Sequence, residues 1–259
     1  MSTTQSLLQK KPFQLLTLGS SNPKTAKSEK QQHFTFILHL APAKRSGYNM
    51  CPWSTPECEA LCLNTAGHGG IFKPGEETNA VQEARLRRTR LFRTDRATFL
   101  ALLVRDIDKG IRYAERKGLT PVFRLNGTSD QVWEKIPVKR AGVRYPHIFA
   151  AFPTEQFYHY TKAPYALRRH DIPNYHLTFS LAETLKNRRD ADIWQAHGKN
   201  VAAVFGVKSP AEFPSSYRNR RVVNGDETDL RFLDPAGVVV GLKAKGAARR
   251  AENGFVITL

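Results

Sequence analysis

A chain of 259 residues, 41% hydrophobic and 10% aromatic, is long and apolar enough to bury a substantial core in a single domain. It contains no run of about 18 or more apolar residues, so no membrane span is predicted. Forty Lys and Arg against 23 Asp and Glu leave a formal charge of +17, which draws the protein toward polyanions, nucleic acid first, or serves solubility alone.

Residues 1–32 are rich in Ser, Thr, Lys and Gln, which predicts a flexible polar arm, and they do not read as a secretory signal. Residues 33–259 are expected to form one α/β domain. "HFTFILHLAPA" (33–43) alternates and is rich in β-formers, so it is the first predicted strand. A Gly- and Pro-marked loop follows at 47–70. A helix from about Asn79 carries "RLRRTRLFRTDR", which brings together Arg85, Arg87, Arg88, Arg90, Arg93 and Arg96 as a candidate nucleic-acid face. A longer helix is capped by Thr94 or Asp95, buries Phe99, Leu102, Leu103, Ile107, Ile111 and Ala114, and ends at Gly118.

"PVFRLNGTSD" (121–130) reads as a strand breaking into a polar loop, and "QVWEKI" and "HIFAAFP" as short helical pieces around a basic turn. "QFYHYTK" (156–162), "NYHLTFSLAE" (174–183), "NVAAVFGVK" (200–208) and "GVVVGLKAKG" (237–246) are further strands, with a polar helix through "DADIWQAHG". Six strands separated mostly by helical or long connections predict a mostly parallel sheet, and the count suits a partial (β/α)6-like barrel.

All three cysteines fall in the 47–70 loop, spaced Cys51-x6-Cys58-x3-Cys62. In a reducing cytoplasm, the expected compartment, clustered thiols bind metal more often than they pair. Small buried cysteines would be scattered through strands and helices instead. Zinc wants four ligands, and His68 in "AGHGG" is the local fourth. Three cysteines with no spare suit a [4Fe-4S] cluster with one iron left open. No phosphate-cradling G-x4-G-K-[ST] loop, G-x-G-x-x-G turn or H-E-x-x-H helix occurs.

A β-strand running into a three-cysteine loop, then a helix and further strand and helix units, resembles the radical S-adenosylmethionine enzymes. The resemblance implies a six-stranded partial barrel, a [4Fe-4S] cluster held by Cys51, Cys58 and Cys62, and reductive cleavage of S-adenosylmethionine to a carbon radical. That family spaces its cysteines C-x3-C-x2-C, whereas this chain has six and three intervening residues. The segments "SGYNMCPWSTPECEALCL", "RLNGTSD", "FYHYTK", "YHLTFSLAE" and "DLRFLDPAGVVVGLKAKG" resemble a group of three-cysteine phage and prophage proteins. That likeness covers most of residues 33–255 and implies the architecture rather than an activity.

In parallel α/β folds, working groups gather at the C-terminal strand ends. There the sequence offers Asn126, Thr128, Ser129 and Asp130, then Tyr160, Thr161 and Lys162, then Ser180 and Glu183. Asn126, Ser129 and Glu183 suit an ammonium, and Lys162 a carboxylate or phosphate. With Asp130 and Ser180 they are the candidate S-adenosylmethionine contacts, and ordinary turn and cap chemistry is the alternative use of each. Asp226, Glu227, Asp229 and Asp234 precede the last strand, either as rim groups or as surface partners of the arginines. His159 and His176, inside strands, are expected as satisfied core or rim residues. The leading expectation is an iron–sulfur protein acting on or near nucleic acid, nucleotides or another phosphorylated small molecule. The alternative is a zinc-stabilised nucleic-acid-binding protein without chemistry of its own.

Overall fold

The structure, a computed structural model, describes residues 15–21, 23–65, 67–72, 77–251 and 254–259. The chain begins with β1 (Leu16–Leu18), a helical turn α1 (Pro23–Ala26) and β2 (His33–Leu38). The cysteine segment follows, with α2 (Pro56–Ala60) inside it, then α3 (Ala80–Thr94) and α4 (Arg96–Glu115). After β3 (Thr120–Arg124) come the hairpin β4 (Val138–Arg140) and β5 (Val143–Tyr145) and the turn α5 (Ile148–Ala151). The remainder is β6 (Gln156–Thr161), β7 (Tyr175–Ser180), α6 (Leu185–Ala196), β8 (Val201–Phe205), β9 (Ser216–Tyr217), β10 (Arg220–Asn224), β11 (Val239–Lys243) and β12 (Val256–Ile257).

Ten strands form one sheet in the order β1-β2-β3-β6-β7-β8-β11-β10-β9, with β12 added on β8. The six strands expected from the sequence are β2, β3, β6, β7, β8 and β11. They stand side by side in chain order, each parallel to the next. Such strands are covered on both faces, which explains their dense apolar and aromatic content. One face carries a ladder of stacked rings, Phe36 on Phe123 and Phe123 on Phe157, with centroids 5.4 Å apart in each pair. Helix α4 lies on this ladder through Phe99, Leu103 and Ile107. A Cβ at Gly110 would sit 3.2 Å from Phe123 and 3.3 Å from Phe36, so glycine permits the close approach. The opposite face is more polar and is covered by residues after β10. Leu230 packs on Val122 and Tyr158 there, and Asp229 takes Arg124 at 2.7 Å.

Residues 15–32 correct the expectation of a mobile arm as far as Gln32. β1 pairs antiparallel with β2 (Leu16 opposite Leu38), and the fully buried Asp106 carboxylate accepts the backbone N–H groups of Leu15 and Leu16 at 2.7 and 3.2 Å. A buried acid on α4 therefore fixes a segment that looks solvated by composition. Residues 1–14 of that expected arm lie outside the described residues. The basic turn expected between the short helical pieces is the β4–β5 hairpin, whose tip residues Ala141 and Gly142 have φ of 49° and 81°, as a two-residue hairpin turn requires.

Candidate metal centre

The thiol loop is built from both ends. Ala41 donates its N–H to Thr89 Oγ1 on α3 at 2.8 Å, and Met50 donates to Ala43 O at 2.9 Å, closing the exposed bend between them. The Met50 carbonyl then accepts from Asp130 N and Gln131 Nε2, both at 2.9 Å. Cys51 is thereby clamped against the loop after β3: its Sγ accepts from Ala43 N–H at 3.4 Å and lies 3.8 Å from Thr128 O. Cys58 sits on α2, where Thr55 is the N-cap and Pro56 the first helical residue. Thr55 Oγ1 accepts the Cys58 N–H at 3.3 Å and donates to Glu183 Oε2 at 2.8 Å, while Glu183 Oε1 accepts Glu57 N–H at 3.3 Å. Cys62 follows the end of α2 and leads into Asn64. Gln82 exchanges hydrogen bonds with both the side chain and the carbonyl of Asn64, at 2.8 Å each.

All three thiols are unpaired and half-buried, and they line one cavity of about 440 Å³ together with Lys44, Arg45, Ser54, Glu59 and Asn64. Among the described residues, no group of three or more His, Cys, Asp or Glu side chains stands arranged to hold a metal ion. His68 falls on the turn Gly67–Gly70, and its side chain lies outside what the structure describes. Burial pushes the Cys51 thiol up to about 12, with the nearby Asp130 adding to the rise; Cys62 is raised by burial too, against the opposing pull of Arg85 and Arg45. A buried thiol held protonated is a poor nucleophile, so burial disfavours Cys51 and Cys62 as activated nucleophiles. A metal cation reverses that preference, since coordination deprotonates the thiol outright.

The rim residues read from the sequence converge on this loop, but they are engaged with the protein itself. Asn126 is buried, and its Oδ1 accepts from Ser129 Oγ, Gln131 N and Trp133 Nε1 at 2.9–3.1 Å. Asp130 Oδ2 accepts from Lys162 N at 2.8 Å and Thr161 Oγ1 at 3.2 Å, and its other oxygen meets Arg168 at 3.2 Å. Lys162 Nζ donates to Ser180 Oγ at 2.6 Å and lies over the Phe255 ring, 5.5 Å from its centroid. Glu183 holds the N-terminus of α2. Of this set, Asp130 and Glu183 reach the thiol loop directly, through Met50 O and the N-terminus of α2.

Sequence reasoning missed Arg168. Its guanidinium is fully buried, donates to Glu134 at 2.6 Å and to the Tyr175 hydroxyl, and so ties the loop after β3 to β7. Next to it, Leu125 N–H donates to His159 Nε2 at 2.9 Å, leaving Nδ1 as the protonated nitrogen facing Tyr175 at 3.0 Å. His159 is thus a satisfied core residue, as expected. The only sequence signal of this network is three ionisable residues in "RRH", and the acidic partners of Arg168 lie more than thirty positions away.

The arginine cluster divides. Arg87, Arg90, Arg93 and Arg96 are exposed, and Arg93 stacks over Tyr48 at 5.1 Å. Arg85 departs from the expected nucleic-acid face: it is 8% exposed and points inward, donating to Asn64 O and Oδ1 at 2.8 and 2.5 Å. Arg88 is half-buried, and desolvation lowers it to about 10, helped by Arg85 and Arg87. The acidic run before β11 pairs with other basic residues. Asp226 takes Lys245, Asp229 takes Arg124, and Asp234 takes Arg231, at 2.7, 2.7 and 3.3 Å.

Among the described residues, no helix is long and apolar enough to cross a membrane. No curated protein and no solved structure matches the chain. The family described as Gene product 88 matches residues 14–258, nearly its whole length and the span that holds the sheet, the thiol loop and its clamps. The chain belongs to the gene product 88 family.

Proposed function

We propose that Cys51, Cys58 and Cys62 hold a [4Fe-4S] cluster at the mouth of a partial (β/α)6-like barrel, and that the protein is a radical S-adenosylmethionine-like enzyme acting on nucleic acid or a nucleotide. The observation that carries this reading is the joint placement of the thiols. All three line one cavity, and the loop bearing them leaves the first of six parallel strands that neighbour one another in chain order. The chain has no fourth cysteine, which suits a cluster with one iron open to a small ligand. When bound, such a cluster supplies the single electron for reductive cleavage of S-adenosylmethionine.

The chain's own residues orient and shield the thiols. The Ala43 N–H stabilises the Cys51 sulfur, as amide donors do for cluster thiolates. Glu183 and Thr55 fix the turn that presents Cys58, and Asp130 and Gln131 hold Met50 beside Cys51. The exposed Arg87, Arg90, Arg93 and Arg96 supply the attraction to a phosphate backbone. The test is anaerobic reconstitution with iron and sulfide of the wild type and of Cys51→Ser, Cys58→Ser and Cys62→Ser, read by visible absorbance and by 5′-deoxyadenosine release under reducing conditions. The reading requires a cluster chromophore that each substitution diminishes. Zinc in its place, lost in His68→Ala, would establish the zinc-stabilised alternative.

A further inference from the structure

Helix α3 turns a stripe of Gln82, Arg85, Thr89 and Phe92 toward the interior, at the spacing of one helical face. Three of these have evident work. Phe92 packs on Phe99 and Trp133, Thr89 holds Ala41, and Gln82 secures the exit of the thiol loop through Asn64 and Gly69 O at 2.7 Å. Arg85 duplicates the Gln82 contact to Asn64, but with a charge.

That charge has no carboxylate opposite it among the described residues. The two oxygens that Arg85 meets belong to a neutral amide residue, and its Nε is buried without a partner. Burying a guanidinium this way is costly unless a negative charge stands close by. Asn64, which the guanidinium touches, is part of the cavity wall two positions after Cys62, so the charge stands behind the wall of the cavity that the three thiols line. Arg45 also lines the cavity but is exposed, where water and salt screen it.

We infer that Arg85 is the charge partner of the thiolate-bound centre, compensating its net negative charge from the buried side and raising its reduction potential. The inference rests on the cluster reading above. A cluster held by three thiolates gains a further negative charge on reduction, so a fixed cation beside it favours the reduced form. Arg85 is a positioning and electrostatic residue here, and no contact with substrate is implied.

The experiment compares redox titrations of reconstituted wild type, Arg85→Gln and Arg85→Lys, followed by absorbance at low and high salt. Gln keeps a hydrogen-bonding reach to Asn64 without the charge, and Lys keeps the charge without the planar fork. The expected result is a more negative midpoint in R85Q, persisting at high salt, with R85K close to wild type. Should R85Q fail to load while R85K loads, with matching circular dichroism, the charge requirement stands. Equal midpoints in wild type and R85Q, or the same shift or failure in both variants, would overturn this inference and leave the cluster reading intact. A wild-type chain that loads no cluster overturns both.

Discussion

His39 lies just after β2, where the chain turns into the thiol loop, and its ring is packed so tightly on Gly127 that a Cβ there would fall 2.6 Å from Nδ1. Burial, reinforced by Arg85, Arg124 and Arg88, lowers its pKa from 6.5 to about 3. The folded protein thus keeps this imidazole neutral, while the unfolded chain protonates it near its ordinary value. Stability from this group is fully present above pH 6.5 and is lost as pH falls toward 3. Between pH 7 and pH 5 the linkage relation gives a loss of about 2 kcal/mol from His39 alone. His176, lowered to about 4 chiefly by burial, works in the same direction and adds about 2 kcal/mol over that interval. His159 is pushed well down by burial and contributes with the same sign. Asp130, raised by burial, opposes them in part. Together these losses are a large share of ordinary domain stability. The assay is urea unfolding at pH 7 and pH 5 for wild type and His39→Gln, a substitution that cannot titrate. Wild type should lose about 2 kcal/mol more than H39Q over the interval. An equal loss in both would refute the claim that His39 is held neutral by its surroundings.

Four further outcomes are expected. Arg168→Met leaves Glu134 and Asp130 buried without their cation and should cost about 3–5 kcal/mol in denaturant unfolding. Asn126→Ala removes the shared acceptor of Trp133 Nε1 and Gln131 N and should cost about 1–3 kcal/mol for each donor stranded, with the Trp133 fluorescence environment altered. Glu183→Ala removes the acceptor of both Thr55 Oγ1 and Glu57 N–H at the N-terminus of α2, about 1 kcal/mol for each bond in denaturant unfolding, and should hasten loss of bound metal to a chelator. Replacing Arg87, Arg90 and Arg93 together by Gln should reduce the salt dependence of DNA binding by about 0.9 in logarithmic slope for each phosphate no longer neutralised, measured by fluorescence anisotropy across a salt series.

The six central strands were legible because each is a short run of β-branched and aromatic residues covered on both faces, and α4 because its apolar positions repeat with helical spacing up to the positive φ of Gly118. β1 and β12 span only three and two residues, too few for a period to show. Residues 15–32 were misread because composition cannot reveal that Asp106, about ninety positions away, anchors their backbone. At the site, crowding marked the cysteines without help from the fold. At the rim, the sequence left ligand binding and loop bracing open for each residue, since polar side chains at strand ends serve equally for either. The division of the arginines was within reach: Arg85 shares a face with Gln82 and Phe92, while Arg87, Arg90 and Arg93 do not. Treating "RLRRTRLFRTDR" as one basic patch ignored that periodicity.

Iron, sulfide and zinc content of the full-length protein purified without oxygen, taken with its visible spectrum, tests the central claim most directly. The account predicts about four irons and about four sulfides per chain after reconstitution, with a cluster absorbance that bleaches on reduction. Stoichiometric zinc, or thiols that bind no metal at all, would contradict it.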